Sequence, residues 1–260
     1  MITTLGPSGT YSEIAAHKLF PDKEIILRDS IFAIFANQQA GDIMVLPLEN
    51  SQYGSVIDVW EAIVNHGLFI SKTLTLDIIH AIGAINPQKF TTIIGHPQAL
   101  GQCNSFLHKN YPNLKIEAAT STGAAIKKAL TNETYAAIGN DEIMAKMGLS
   151  IVNQQINDAK NNKTMFGVVS NQELFSNDTK QKTLILVEPK VDRPGLLLEI
   201  LQIIAQNNVN LSRLESRPQG NELGFYKFFI DLNTAPDSPE FKTIFAELGL
   251  KFRVQIIGAY

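Results

Sequence analysis

The chain has 260 residues, 45% of them hydrophobic, which is enough for a sizeable buried core and for one large domain plus a small one. A net charge of −3 offers no basic surface for nucleic acid, and no run of about 18 uninterrupted apolar residues predicts a membrane span. The single cysteine, Cys103, excludes an internal disulfide and suits a reducing compartment, and no basic stretch followed by an apolar run opens the chain, so a cytoplasmic location is expected.

A short apolar segment leads into Gly6-Pro7-Ser8-Gly9-Thr10-Tyr11-Ser12-Glu13, a glycine-kinked turn carrying the hydroxyls of Ser8, Thr10 and Ser12. Ala15, Ala16, Leu19 and Phe20 then predict a helix. Glycines let the backbone approach a ligand, and N–H groups at a helix start favour negative charge, so the turn predicts an anion site. A helix cap without a ligand is the alternative. The spacing fits neither a Walker loop nor a dinucleotide fingerprint.

The apolar run 42–46 predicts a strand that ends in Pro47-Leu48-Glu49-Asn50-Ser51-Gln52-Tyr53-Gly54-Ser55-Val56, before a helix over 56–65. Strand ends of this kind are where open α/β sheets bind ligands, although Asn50 and Ser51 can also serve as caps and Glu49 as a solvated carboxylate. A strand over 91–94 runs into Gly95-His96-Pro97-Gln98-Ala99-Leu100-Gly101-Gln102-Cys103, with a helix expected over 97–110. Here His96 reads as a capping or packing residue as readily as a catalytic one, and Cys103 as a small core residue. Thr120-Ser121-Thr122-Gly123 is another hydroxyl-rich helix start, followed by a helix to residue 130, and apolar runs at 136–138 and 167–169 predict further strands. Buried parallel strands covered by helices follow. Four helix starts, each after a strand, predict a cleft lined by N–H groups and neutral donors, suited to a small carboxylated ligand.

The polar segment 170–181 reads as a linker. Beyond it the pattern is strand 182–189, helix 194–207, strand 210–218, strand 222–233, helix 239–248 and strand 251–258. Leu197, Ile200, Leu201 and Ile204 supply a core face, Pro194 suits a first helical turn, and Asn207-Asn208 a helix end. The order βαββαβ predicts a ferredoxin-like sheet with two helices on one face.

These four segments, with a fifth at Ile156-Asn157-Asp158-Ala159-Lys160-Asn161-Asn162-Lys163-Thr164-Met165-Phe166, resemble the prephenate dehydratase family in order and form. The C-terminal region resembles the ACT domain joined to those enzymes, with Glu215-Ser216-Arg217-Pro218 standing where that family carries its phenylalanine-binding motif. The resemblance implies a catalytic domain over 1–175, built of two α/β lobes like those of type II periplasmic binding proteins: lobe 1 over 1–75 and 156–175, lobe 2 over 76–155. A regulatory domain over 182–260 follows. It implies decarboxylating dehydration of prephenate to phenylpyruvate with feedback by L-phenylalanine, no metal or organic cofactor, and a homodimer or homotetramer.

By the same resemblance Thr164 takes the catalytic role, with Glu49, Asn50 and Ser51, while Thr10, Ser12, Gln98, Ser121, Thr122 and Phe166 line the substrate. Gly195, Leu196, Leu197, Asn210, Glu215, Ser216, Arg217 and Pro218 are implied to hold phenylalanine, with Leu196 in place of a smaller residue beside the phenyl ring. One departure is Met165, where the family carries arginine; Arg28 is the only arginine before residue 193, and Lys163 is expected to face away from Thr164. The departure leaves open a non-catalytic amino-acid sensor, an arogenate dehydratase and a prephenate-decarboxylase-like enzyme.

Overall fold

The computed structural model describes residues 1–39, 41–175, 179–219 and 224–260. Two compact units divide the chain, Met1–Ala62 with Leu74–Gly167 and Ile63–Thr73 with Val168–Tyr260.

In the first unit β1 (Ile2–Leu5) leads into α1 (Tyr11–Leu19), then β2 (Ile25–Arg28), α2 (Ile31–Ala36), β3 (Ile43–Asn50) and the short β4 (Gly54–Ser55); α3 (Ile57–Asn65) and β5 (Phe69–Asp77) each lie partly in the first unit and partly in the second. Central β1 pairs in parallel with both β2 and β3. Ala15 and Ala16 of α1 pack on Ile2 and Val45. Next come β6 (Ala81–Ala84), β7 (Thr92–Gly95), α4 (Pro97–Gln102), α5 (Asn104–Asn110), β8 (Lys115–Ala118), α6 (Thr122–Thr131), β9 (Tyr135–Gly139), α7 (Asp141–Lys146), β10 (Ser150–Asn153) and β11 (Lys163–Ser170).

The strands β6 to β10 form a second sheet in the order β10-β6-β9-β7-β8. Ala99, Cys103 and Leu107 pack on one side with Ile93, Ala136 and Ile138, while Ala125, Ile126, Ala129 and Met144 pack on the other with Ile94 and Ala137. Alternating strand residues thus feed two helical layers. The sheet is mixed rather than all parallel: β6 pairs antiparallel with β9 and with β10. Beside it the outgoing and returning chains touch, the Ile78 N–H donating to Asn162 O at 2.8 Å.

The helix expected over 97–110 is broken at Cys103, and Asp158 supplies the cause. Gln102 O, which an unbroken helix would bond to the Phe106 N–H, instead accepts from Asp158 N–H at 2.8 Å. The Ser105 and Phe106 N–H groups donate to the Asp158 carboxylate at 2.9 and 3.0 Å, so a distant side chain caps the second helix.

In the second unit β12 (Thr183–Glu188), α8 (Leu196–Gln206), β13 (Leu211–Pro218), β14 (Tyr226–Leu232), α9 (Pro239–Lys251) and β15 (Arg253–Ala259) follow the predicted βαββαβ order. The sheet runs β13-β14-β12-β15 with antiparallel neighbours. Both helices cover one face, Ile200 and Ile204 with Ile244 and Leu248 over Ile185, Val187, Phe228 and Ile230. Gly258 pairs with Ile70 in parallel, and a Cβ there would stand 3.0 Å from Ile70 Cβ, so the close approach favours glycine. Pro194 falls before the helix rather than in its first turn, because Gly195 with φ +82 is the N-cap. Asn208, with φ +54, takes the left-handed position after the helix. The strand expected from 222 begins at Tyr226; residues 222 and 223 lie outside the described residues.

Candidate active site

The glycine turn is built as an anion site, and the anion it holds belongs to the chain. Both Glu13 carboxylate oxygens accept from Ser8 Oγ at 3.0 Å, and Oε2 also accepts from Gly9 N–H at 2.7 Å. Thr10 Oγ1 accepts from Glu13 N–H as the N-cap of α1 and donates to Leu5 O, and Ser12 is buried. Donors expected for a ligand are thereby occupied. The turn also seats α6, since a Cβ on Gly123 would meet Ser8 O at 2.5 Å and Pro7 Cγ at 2.7 Å.

Asn50, at the end of β3, reaches the start of β11. Its Nδ2 donates to Asn162 Oδ1 and to Thr164 Oγ1, each at 2.9 Å, while its Oδ1 accepts from Gln52 N–H at 3.0 Å and Tyr53 N–H at 3.2 Å. Asn50 therefore caps the turn after β3 and not helix α3. Ser51 seals the same junction: its N–H donates to Lys163 O, its Oγ to Asn161 O, and Lys163 N–H donates to its Oγ. Glu49 pairs with Ser55 in the β3–β4 ladder.

A cavity of about 160 Å³ lies over Thr164. From the β1–β3 side it is lined by Tyr11, Asn50 and Thr164, and from the second sheet by His80, His96, Gln98, Gln102 and Thr122. Of the residues expected at substrate, the cavity gathers Asn50, Gln98, Thr122 and Thr164. Glu49, Ser51, Thr10 and Ser12 stand outside its lining, and Ser121 serves as the N-cap of α6, accepting from Ala124 N–H at 3.1 Å. Phe166 is 2% exposed and packs with Ile2, Ala15, Ala16, Val45 and Leu76, in the core rather than at the cavity. Met165 is half-buried and absent from the lining, as expected for a residue next to Thr164 on a pleated strand. Lys163 pairs with Asp77 at 2.7 Å.

Tyr11 and Gln102 lie in segments the sequence singled out but were not among the expected site residues, and His80 lay in none of those segments. The Tyr11 hydroxyl donates to Ile79 O and accepts from Ile79 N–H and Asn140 Nδ2, and burial raises its pKa. His80 is held by its backbone, with N–H to Asn157 Oδ1 at 2.6 Å and Ile156 N–H to its O at 2.9 Å. Its Nε2 meets Gln102 Oε1 at 2.7 Å, and Nδ1 has no hydrogen-bond partner. Burial lowers the His80 pKa, opposed by the Gln102 hydrogen bond. The available signal was a lone histidine in the apolar run 78–84. Cys103 is fully buried, and burial, with the Asp158 charge, pushes its thiol up to about 12, so it stays protonated.

In the second unit a cavity of about 220 Å³ gathers Gly195, Leu196 and Leu197 with Arg193, Tyr226 and Phe228. Leu196 is 7% exposed, and its side chain lies in the core while the cavity persists beside it. Asn210 and the 215–218 segment are not in that lining. Glu215 pairs with Arg217 and lies 3.9 Å from Arg213 Nε, whereas Asn210, Ser216 and Pro218 are exposed.

An α/β unit with a polar cavity at its strand ends, joined to a ferredoxin-like unit with a cavity at a helix start, describes an enzyme carrying a small ligand-binding domain. The family model for prephenate dehydratase matches residues 2–174, and that for the ACT domain matches 184–249. The chain belongs to the prephenate dehydratase family, whose members are lyases. It is 35% identical over 240 residues to a prephenate dehydratase of Methanocaldococcus jannaschii, covering 90% of this chain and 88% of that one. The prephenate dehydratase structure from Staphylococcus aureus superposes with a TM-score of 0.88 at 28% identity, over 100% of this chain and 99% of that one. The prephenate dehydratase of Arthrobacter aurescens in complex with L-Phe gives 0.87 at 30% identity, over 100% and 89%.

Proposed function

We propose that the 160 Å³ cavity binds prephenate and converts it, with one proton, to phenylpyruvate, carbon dioxide and water. The observation that carries this is the 2.9 Å hydrogen bond from Asn50 Nδ2 to Thr164 Oγ1. It occupies a lone pair of the hydroxyl and leaves its hydrogen to point at the oxygen that leaves the ring. Aromatisation drives the reaction, so a fixed hydroxyl can serve where a less favourable elimination would need a stronger acid. Gln98, Thr122 and the start of α6 supply neutral donors for developing charge. Glu49 and Ser51 act through the β3–β11 junction, and Thr10, Ser12 and Ser121 through the turn and helix starts that shape the cavity wall.

The catalytic domain spans 1–175 and the regulatory domain 182–260, in keeping with the matched segments. L-phenylalanine binds the regulatory domain through Gly195, Leu196 and Leu197, with Asn210 and Glu215 to Pro218 completing the site at the contact between two copies. Exposure of Asn210 and Ser216, with β13 at the end of its antiparallel series, supports that pairing and a homodimer or homotetramer. A cytoplasmic enzyme fits the single reduced cysteine.

Purified protein incubated with prephenate should form phenylpyruvate, and Thr164→Ala should lower kcat by about 10²–10⁴-fold while the protein stays folded. Absence of product from the wild-type protein would overturn the reading. Among the described residues no lysine or arginine lines the cavity, which favours a second substrate, arogenate, whose amino group removes one net negative charge, so it belongs in the same assay.

A further inference from the structure

Among the described residues, the side chains lining the active-site cavity that can become cationic are those of His80 and His96. On the prephenate reading, which this inference rests on, a dicarboxylate enters a site with no fixed positive charge. His96 is already engaged: its Nδ1 accepts from Gln98 N–H as the cap of α4.

His80 differs. It is 5% exposed, its backbone is held by Asn157 and Ile156, and its Nε2 is fixed by Gln102 Oε1. Because Gln102 presents an oxygen, Nε2 carries the hydrogen, and Nδ1 of the neutral ring is a lone pair without a partner. A bare lone pair would repel a carboxylate. A proton on Nδ1 reverses this, since Nε2–H still donates to Gln102 while Nδ1–H becomes a charge-assisted donor once the entering substrate opens the buried edge of the ring.

We propose that His80 is the cationic substrate-binding residue of this cavity, taking one proton from solvent onto Nδ1 as the dicarboxylate enters and holding a substrate carboxylate through Nδ1–H. Loss of carbon dioxide leaves a monoanion, which holds the imidazolium less strongly, and the proton returns to solvent as product leaves. The titratable groups around His80 are Tyr11 of α1, edge-on at 6.4 Å, and His96 at the start of α4. Beyond them lie Asp158, held by Ser105 and Phe106, and the Asp77–Lys163 pair on the neighbouring segments. Burial lowers the pKa of the free ring, so the proton is taken up from solvent together with the substrate, and affinity falls as pH rises.

The test is KM and kcat for prephenate between about pH 6 and 8.5 in the wild-type, His80→Asn and Gln102→Glu enzymes. The wild-type KM should climb by up to about tenfold per pH unit above the free-enzyme pKa. In His80→Asn, KM near neutrality should rise by roughly 10- to 100-fold and lose its slope, with kcat changed much less. In Gln102→Glu the carboxylate facing Nε2–H should move the break upward by about 1–3 pH units. This second variant keeps the inference testable if His80→Asn fails to fold. A slope that survives in His80→Asn, or a break that stays in place in Gln102→Glu, overturns the inference. Turnover with a flat wild-type KM refutes the role of His80 alone, whereas no phenylpyruvate at any pH refutes the substrate reading and this inference with it.

Discussion

Replacing Asn50 separates the orientation of the Thr164 hydroxyl from the stability of the junction that holds it. In Asn50→Asp the cap over Gln52 and Tyr53 remains, because Oδ1 is retained. The lost donor is compensated locally. Asn162 is 3% exposed with an unpartnered Nδ2, so a flip of its amide lets Nδ2 donate to the new carboxylate, and Thr164 can turn its hydroxyl hydrogen the same way. Folding stability should change by only about 1 kcal/mol. The hydrogen needed at the leaving oxygen is then aimed at the introduced carboxylate, and kcat at saturating prephenate should fall about 10²–10⁴-fold. Asn50→Leu does the opposite. It strands the buried acceptors Asn162 Oδ1 and Thr164 Oγ1, at roughly 1–3 kcal/mol each and on the order of 5–20 °C in Tm, but leaves the hydroxyl hydrogen unclaimed. The expected order is therefore crossed, with the more stable variant catalytically worse. Phenylpyruvate absorbance gives kcat, thermal melts give stability, and repulsion between the introduced carboxylate and the dianion appears in KM. If kcat follows Tm, with Asn50→Leu below Asn50→Asp, the orientation argument is wrong.

Asp158→Ala should remove the side-chain cap of α5 while keeping the backbone N–H that holds Gln102 O, lowering stability by about 1–2 kcal/mol; an unchanged melt would show that the break at Cys103 does not depend on the carboxylate. Phe166→Ala should cost about 3–5 kcal/mol, and a variant that melts normally but binds prephenate poorly would return Phe166 to the substrate. His80 has its pKa lowered in the folded state, so the unliganded protein should lose stability as pH falls from about 6.5 through that lower value, a loss absent in His80→Asn melts. L-phenylalanine should raise Tm and lower turnover together, since an effector acts through its preference for one state; no response in either up to about millimolar ligand would mean that the cavity beside Leu196 does not bind it.

Sequence alone determined what depends on near neighbours. Apolar periodicity placed the helices and strands of the second unit and several of those in the first, hydroxyls before helices marked the starts at Thr10 and Ser121, and Asn207-Asn208 marked a helix end. The motif carrying Thr164 and the order βαββαβ were legible for the same reason, because each is a pattern along the chain. Tertiary structure decided which donors remain for a ligand. Glu13 fills the anion turn, Phe166 belongs to the core, and Asp158 takes the Gln102 carbonyl away from Phe106. Asn50 meets Thr164 from 114 positions away, and His80 meets Gln102 from 22. Spacing along a chain predicts which groups a helix or turn leaves unsatisfied, but the partner that satisfies them, or the buried nitrogen left without one, is set by how the sheets bring distant segments together.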